Sequence, residues 1–304
     1  MVKIVTDSTS DIPPEIAQAL GITIVAAYVH FGSKSYRDGV DISPDELYQR
    51  MLDGPVHPTS SAPSPGDFAE AYSRLAKDTD EIVSIVVTSK QSAVYDSALL
   101  GKESFKGKCR IEVIDSQSVT MGLGLMAIAA AKNVQAGGNI EAIVEVVNSA
   151  VPRTHGMAVL DTLKYVVRGG RLSKAGTLLE SLVKVKPILS IKGGVIGPAG
   201  VTRTHGRGIE RLCDFVRKHL PIEDIAIVHS NSPQEAESLA ERIRSLVPQS
   251  HPIIARLGSS LGVHCGPGAL VVALRESKSE AEKAAEKERR GRRFALPPLR
   301  LPLR

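Results

Sequence analysis

The sequence predicts an α/β protein of two successive units, and three observations carry that expectation. Short apolar strands end in turns rich in hydroxyls and carboxylates, and helices follow those turns. The strand over 81–87 is almost continuously β-branched, as in a parallel sheet covered on both faces. With 304 residues, 42% of them hydrophobic, the chain exceeds what one core comfortably holds. The expected division is an N-terminal α/β domain with a mostly parallel sheet over 1–152, a C-terminal α/β domain with a mixed sheet over 153–276, and a basic, poorly packed tail over 277–304.

Residues 2–5 open the first unit and run into Thr6-Asp7-Ser8-Thr9-Ser10-Asp11, after which Pro13-Pro14 start a helix through Leu20. Residues 22–29 read as one further strand, and the charged, turn-rich stretch 31–41 as a surface crossing. Ser43-Pro44-Asp45-Glu46 caps a helix that carries Leu47, Tyr48, Met51 and Leu52. In Pro58-Thr59-Ser60-Ser61-Ala62-Pro63 the prolines fix the backbone and withhold donors, so a stiff hydroxyl-bearing turn is expected, neither a central strand nor a helix interior. Ser64, followed by Pro65 and Asp67, has the pattern of a capped helix start. Because Asp67 already answers the positive end of that helix, an anionic ligand is better placed upstream, on Thr59, Ser60 and Ser61.

After Val87 the chain turns through Thr88-Ser89-Lys90-Gln91-Ser92-Ala93 into a helix with Tyr95, Ala98 and Leu99. A strand over 111–114 repeats the pattern, ending in Asp115-Ser116-Gln117-Ser118-Val119-Thr120 before a helix over 121–136. Ligands of open parallel sheets sit beyond the carboxyl ends of the strands, and three such ends here are polar, so one shared crevice is expected. Asp7 and Asp115 read as caps in preference to metal ligands, since no histidine accompanies them in sequence. Lys90 reads as a solvated loop lysine.

Gly137-Gly138-Asn139 breaks the chain ahead of an amphipathic helix over 140–150. Beyond Pro152 come a strand over 155–160, the segment 163–168 and the turn Gly169-Gly170-Arg171-Leu172-Ser173. That turn presents the guanidinium of Arg171, a fork suited to carboxylate or phosphate oxygens. Residues 186–197 read as a hairpin around Gly193-Gly194. Thr202-Arg203-Thr204-His205-Gly206-Arg207 opens a helix to His219, and strands over 224–229, 253–257 and 269–274, with a helix over 233–246, complete the unit. Gly262-Val263-His264-Cys265-Gly266-Pro267-Gly268 reads as a glycine-rich loop holding a histidine where a ligand can lie against the backbone.

Composition narrows the function. The net charge of +5 is concentrated in Arg289-Arg290-Gly291-Arg292-Arg293 and in 300–304, which leaves the rest near neutral. Without tryptophan and with 4% aromatics, the chain has few stacking platforms, so specific nucleic-acid binding is not expected. Cys109, Cys213 and Cys265 are widely spaced and form no metal or redox pair, as in a reducing cytoplasm. The N-terminus enters a strand at once, which leaves no room for a signal peptide. No apolar run approaches the ~20 residues of a membrane span. A cytoplasmic protein without a transmembrane segment is expected.

Taken together, the stretches 6–11, 58–66, 89–95, 115–118, Gly169-Gly170-Arg171 and His264-Cys265-Gly266-Pro267-Gly268 resemble, in this order, the successive signatures of the DegV family of bacterial fatty-acid-binding proteins. The resemblance runs over residues 2–274. It implies two α/β domains that hold one long-chain fatty acid in a tunnel between them, with no catalytic residue, metal or cofactor of the chain's own. It implies that the acid's carboxylate is hydrogen-bonded by Ser60, with Thr59 or Ser61 adjacent, by Ser92 and by His264. A separate ATP-dependent fatty-acid kinase subunit would then phosphorylate the presented acid, with Arg171 and Arg203 at positions matching arginines near the carboxylate.

Hydroxyl donors and a histidine able to protonate near neutrality would offset burial of that carboxylate. The tail would contribute ~0.8 kcal/mol per buried CH₂. The chain departs from the family pattern at Ala93-Val94, where Gly-Thr is usual, at Ala62, which replaces a frequent Gln, and at Thr204-His205-Gly206-Arg207, which replaces a lysine-containing run. The tail lies outside the resemblance, and its charge suggests a polyanion or a transient membrane-surface contact.

A rival reading uses the same residues as a serine esterase or phosphatase: Ser92 or Ser60 as nucleophile, His264 as base, and Asp7 or Asp115 as orienter. No G-x-S-x-G elbow surrounds either serine. A nucleotide site is weaker still, since neither G-x-x-x-x-G-K-[ST] nor a strand-linked G-x-G-x-x-G occurs.

Overall fold

The computed structural model describes residues 1–172 and 185–280. Strand and helix alternate from the start: β1 (Lys3–Asp7), α1 (Pro14–Leu20), β2 (Ile22–Val25), β3 (Tyr28–Phe31), β4 (Lys34–Arg37), α2 (Pro44–Asp53), β5 (Thr59–Ser61), α3 (Pro65–Leu75), β6 (Glu81–Val86), α4 (Val94–Ser104), β7 (Arg110–Asp115), α5 (Met121–Gln135) and α6 (Ile140–Ala150). A four-stranded parallel sheet has the order β2-β1-β6-β7. β6 pairs on both sides, and its Ile82, Val83, Ile85 and Val86 are fully buried, which is what a β-branched run with no polar face requires. A small antiparallel sheet, β4-β3-β5, stands apart from it.

The chain continues through β8 (Thr154–Val159), α7 (Lys164–Arg168), β9 (Lys186–Lys192), β10 (Val195–Thr202), α8 (His205–Lys218), β11 (Ile222–His229), α9 (Pro233–Leu246), β12 (Ile253–Arg256), α10 (Ser259–Cys265) and β13 (Leu270–Glu276). These strands form one mixed six-stranded sheet, β10-β9-β8-β13-β11-β12, antiparallel except where β11 meets β12.

Helix α5 lies between the two large sheets. Eleven of its fifteen residues are buried, and it packs against β1 and β6 on one side and β11 and β13 on the other. Its first eleven residues, 121–131, have no polar side chain and so no solvent face to offer, and both sheets cover them. Helix starts follow the sequence closely: Ser64 and Asp67 exchange hydrogen bonds in a capping box, and Ser43, Asn139 and Thr204 each accept from a first-turn amide.

Three expectations are corrected. Residues 22–29 are two strands in different sheets; between them Ala27 donates its N–H to Ser8 Oγ (3.1 Å), and its carbonyl accepts from Asp38 N (2.8 Å). The stretch 31–41 does run over the surface, with eight of its eleven residues exposed, but it carries β4 and one buried carboxylate, Asp38, which is only 4% exposed. The proline-bounded turn is strand β5, three residues long and at the edge of its sheet, where neighbouring Pro58 and Pro63 break no ladder. His264 sits in the last turn of helix α10 and not in a loop. Gly262 lies within that helix, and a Cβ there would come 2.6 Å from Leu47 Cδ2, so the glycine serves close packing on α2. Ser173 and the tail from residue 281 lie outside the described residues. No helix among the described residues is long and apolar enough to cross a membrane.

Candidate functional site

The site is assembled by α10. Although it follows the strands of the large mixed sheet, this helix packs on β3, β5 and α2, and its Val263 completes the small core of Val29, Ile42, Leu47 and Tyr48. Two carboxylates from the first 40 residues hold its start. Asp11 accepts from Gly258 N (2.8 Å) and from Thr120 Oγ1, and Asp38 accepts from Ser259 N (2.8 Å) and Ser8 Oγ (2.9 Å). Free N–H groups at a helix start favour such anions. Burial raises the pKa of both acids, and at Asp11 the charge of Asp38 adds to the rise in a secondary way.

So fixed, α10 sets His264 against β5. His264 Nε2 lies 2.8 Å from Ser60 Oγ, across 204 residues of sequence. The other ring nitrogen is buried and has no hydrogen-bond partner. It faces Gly169, where a Cβ would come within 2.1 Å of it, so only glycine permits this approach. Burial first, then positive Arg171, then His57, push His264 down from 6.5 to about 4. The imidazole is therefore neutral near pH 7. This corrects the expectation of a histidine that protonates near neutrality: burial, and after it charges supplied by distant segments, oppose it.

Ser60 and His264 line a cavity that, with its mouth, holds about 1030 Å³ of free space. Ser92 and Arg171 line it as well, so the four come together from four separate loops and elements. Much of the remaining wall is aliphatic: Leu160 and Val166, Leu189, Ile191 and Ile196 of the β9–β10 hairpin, and Val271 and Ala273 of β13. It faces residues of the first sheet's turns, among them Thr9, Val87 and Val119. The cavity thus lies between the four-stranded and six-stranded sheets.

Three expected contacts are not brought to it. Successive strand residues point to opposite faces, so inward Ser60 sends Thr59 and Ser61 outward. Both are exposed, and Ser61 Oγ instead meets His30 Nε2 at 2.8 Å. Arg203 is exposed in the bend between β10 and α8 and is not among the cavity's lining residues. Sequence reasoning also passed over three positioning groups. Asp11 and Asp38 fix α10, and the Gln91 carboxamide, oriented to satisfy both its ends, donates to Arg171 O (3.1 Å) and accepts from Ile196 N (3.2 Å). Asp11 stood in view within 6–11, whereas nothing local marked Asp38.

A serine triad is not assembled. Its histidine must donate Nδ1–H to an acid, and His264 Nδ1 has no partner. Asp7 accepts instead from Thr9 N (3.0 Å) and Val87 N (2.8 Å), and Asp115 from Ser89 Oγ (2.6 Å) and Gln117 N (2.8 Å). Both acids cap turns. Cys265, beside His264, is pushed up to about 12 by burial and then by Asp11, which leaves it a thiol.

Comparison with known proteins agrees with this architecture. A DegV domain-containing protein of Caldanaerobacter subterraneus subsp. tengcongensis is 33% identical over 278 residues, covering 90% of this chain and 99% of the relative. A Thermus thermophilus structure described as fatty acid binding of a DegV family protein superposes with a TM-score of 0.83 at 29% identity, covering 91% of this chain and 99% of that one. A stearic acid-binding protein from Eubacterium ventriosum superposes with a TM-score of 0.84 at 26% identity, with the same coverage of both chains. The sequence profile described as "Uncharacterised protein, DegV family" matches residues 1–277, nearly everything that the two sheets and α10 are built from, and the chain belongs to that family.

Proposed function

We propose that this protein binds one long-chain fatty acid in the cavity between its sheets and presents the carboxylate to a separate ATP-dependent fatty-acid kinase in the cytoplasm. The observation that carries the reading is the Ser60–His264 pair set into the wall of a largely aliphatic cavity. A carboxylate there would take hydrogen bonds from Ser60, Ser92 and neutral His264. Arg171 would supply the countercharge that the imidazole does not. About ten methylenes buried along the aliphatic walls would give ~8 kcal/mol, a micromolar affinity without help from the head group. In this reading residues 1–152 and 153–276 are the two walls, α10 is the piece of the second that reaches into the first, and the chain carries no catalysis of its own.

Protein purified from a bacterial host is expected to release fatty acid on extraction, seen by mass spectrometry, and stripped protein to rebind palmitate or oleate. Preparations that are consistently empty and that fail to bind either acid would overturn the proposal. Acyl phosphate is expected only when a partner kinase and ATP are added, and turnover by the chain alone would refute the carrier role.

A further inference from the structure

The face of the six-stranded sheet turned away from the cavity carries a second cluster. On β13, Val271 and Ala273 line the cavity, so Leu270, Val272, Leu274 and Glu276 point to the other face, where α8 and α9 pack. The register pairs Leu274 with His155 of β8, which puts His155 diagonally beside Glu276 on that face. Helix α8 ends directly over them with His219 as its capping residue.

The three side chains converge. His219 Nδ1 is 2.6 Å from Glu276 Oε1, His155 Nε2 is 3.4 Å from Glu276 Oε2, and the two imidazoles stack with centroids 4.3 Å apart. One donor atom from each can be chosen so that all lie within 4.8 Å of one another. His155 Nε2 is buried yet has no hydrogen-bond partner. The neighbouring arginines do not occupy the Glu276 carboxylate: Arg153 pairs with Glu223 and the Glu276 backbone carbonyl, and Arg275 with Glu223 and Asp224. A groove that His155 and His219 line, together with Lys218 and Asp214, gives solvent access.

We propose that His155, His219 and Glu276 form a binding site for a divalent transition-metal ion of the zinc type, with a groove water as fourth ligand. Two imidazoles and one carboxylate are a donor set that suits zinc. A tetrahedron whose arms are ~2.0–2.1 Å has edges of about 3.3 Å, and the three donor atoms, all within 4.8 Å of one another, need only a small contraction to reach it. On binding, the proton shared between His219 Nδ1 and Glu276 leaves for solvent, and both atoms turn to the ion. The ion would pin the end of α8 to two strands of the sheet.

The test uses the full chain, stripped with a chelator and titrated with Zn²⁺ against a chromophoric competitor. One equivalent is expected to bind, at least ~100-fold more tightly than in the His155→Gln/His219→Gln double variant. Co²⁺ in place of Zn²⁺ is expected to give the visible absorption of a tetrahedral site. Glu276→Gln, which keeps the shape, is expected to weaken binding at least ~10-fold. Zn²⁺ should raise the melting temperature of the native chain alone. Metal-free circular dichroism and melting of each variant establish that it is folded before it is titrated. No uptake by the native chain, or uptake that folded variants retain in full, overturns the site.

Discussion

Strand β5 carries two serine–histidine pairs, one residue apart and both at 2.8 Å, on opposite faces. Ser60 meets His264 on the inner face and Ser61 meets His30 on the outer one. The outer imidazole uses its second nitrogen on Ser35 Oγ (2.9 Å), at the protein surface. The inner one has no partner for its second nitrogen, lies against Arg171 and borders an aliphatic cavity. The contact is the same in both, so the hydrogen bond itself does not make a site. Burial, a nearby guanidinium and an aliphatic cavity alongside set the inner pair apart, and only the inner face has them.

This contrast can be broken in several ways, and the largest effect is expected from pH. His264 falls from 6.5 unfolded to about 4 folded, so the unfolded chain binds more protons between those values. Its contribution to stability is complete above pH 6.5 and is lost as pH falls toward 4, by up to ~3 kcal/mol. Denaturant melts of ligand-free protein should show the native chain and His264→Asn converging across that window, and parallel curves would contradict the assignment. Next, Ser60→Ala is expected to weaken palmitate binding ~10–100-fold, the effect of one hydrogen bond to a charged group, measured by calorimetry.

A smaller effect tests the support for the inner pair. Asp11→Ala leaves Gly258 N–H and the Thr120 hydroxyl without their acceptor, and should cost ~1–2 kcal/mol in urea melts. Asp11→Asn should cost less, because the amide oxygen still accepts and burial already disfavours the charge on Asp11. Smallest of all, Ser61→Ala should change stability by less than ~0.5 kcal/mol and leave palmitate affinity within about twofold, since its partner faces solvent. Equal losses from Ser60→Ala and Ser61→Ala would erase the distinction between the faces.

What the sequence made legible follows the range of the forces involved. Caps are local: Ser64, Asn139 and Thr204 bond amides three residues on, and their helices begin where those residues predict. The strand over 81–87 was legible because a segment apolar on both faces admits few placements. β5 was misread because a three-residue edge strand exists only through its pairing with β3, whose partner residues lie about 30 positions upstream. Asp38 went unnoticed because its meaning comes from Ser259, 221 residues away. Gly262 and Gly266 disguised α10 as a loop, although one glycine is there for packing and the other ends the helix at a φ of 71°. The choice of Ser60 over its neighbours needed only the alternation of a strand, once that strand was known to exist.

Helix α5 is gripped by both large sheets, and under the proposed function that bears on how a fatty acid would enter. Swinging the two sheets apart would wet the side of this helix that faces the departing sheet, a penalty of several kcal/mol. Freeing the β9–β10 hairpin would undo less: its Gly194 carbonyl accepts from Thr88 Oγ1 (2.9 Å), and Gln91 reaches its Ile196 amide.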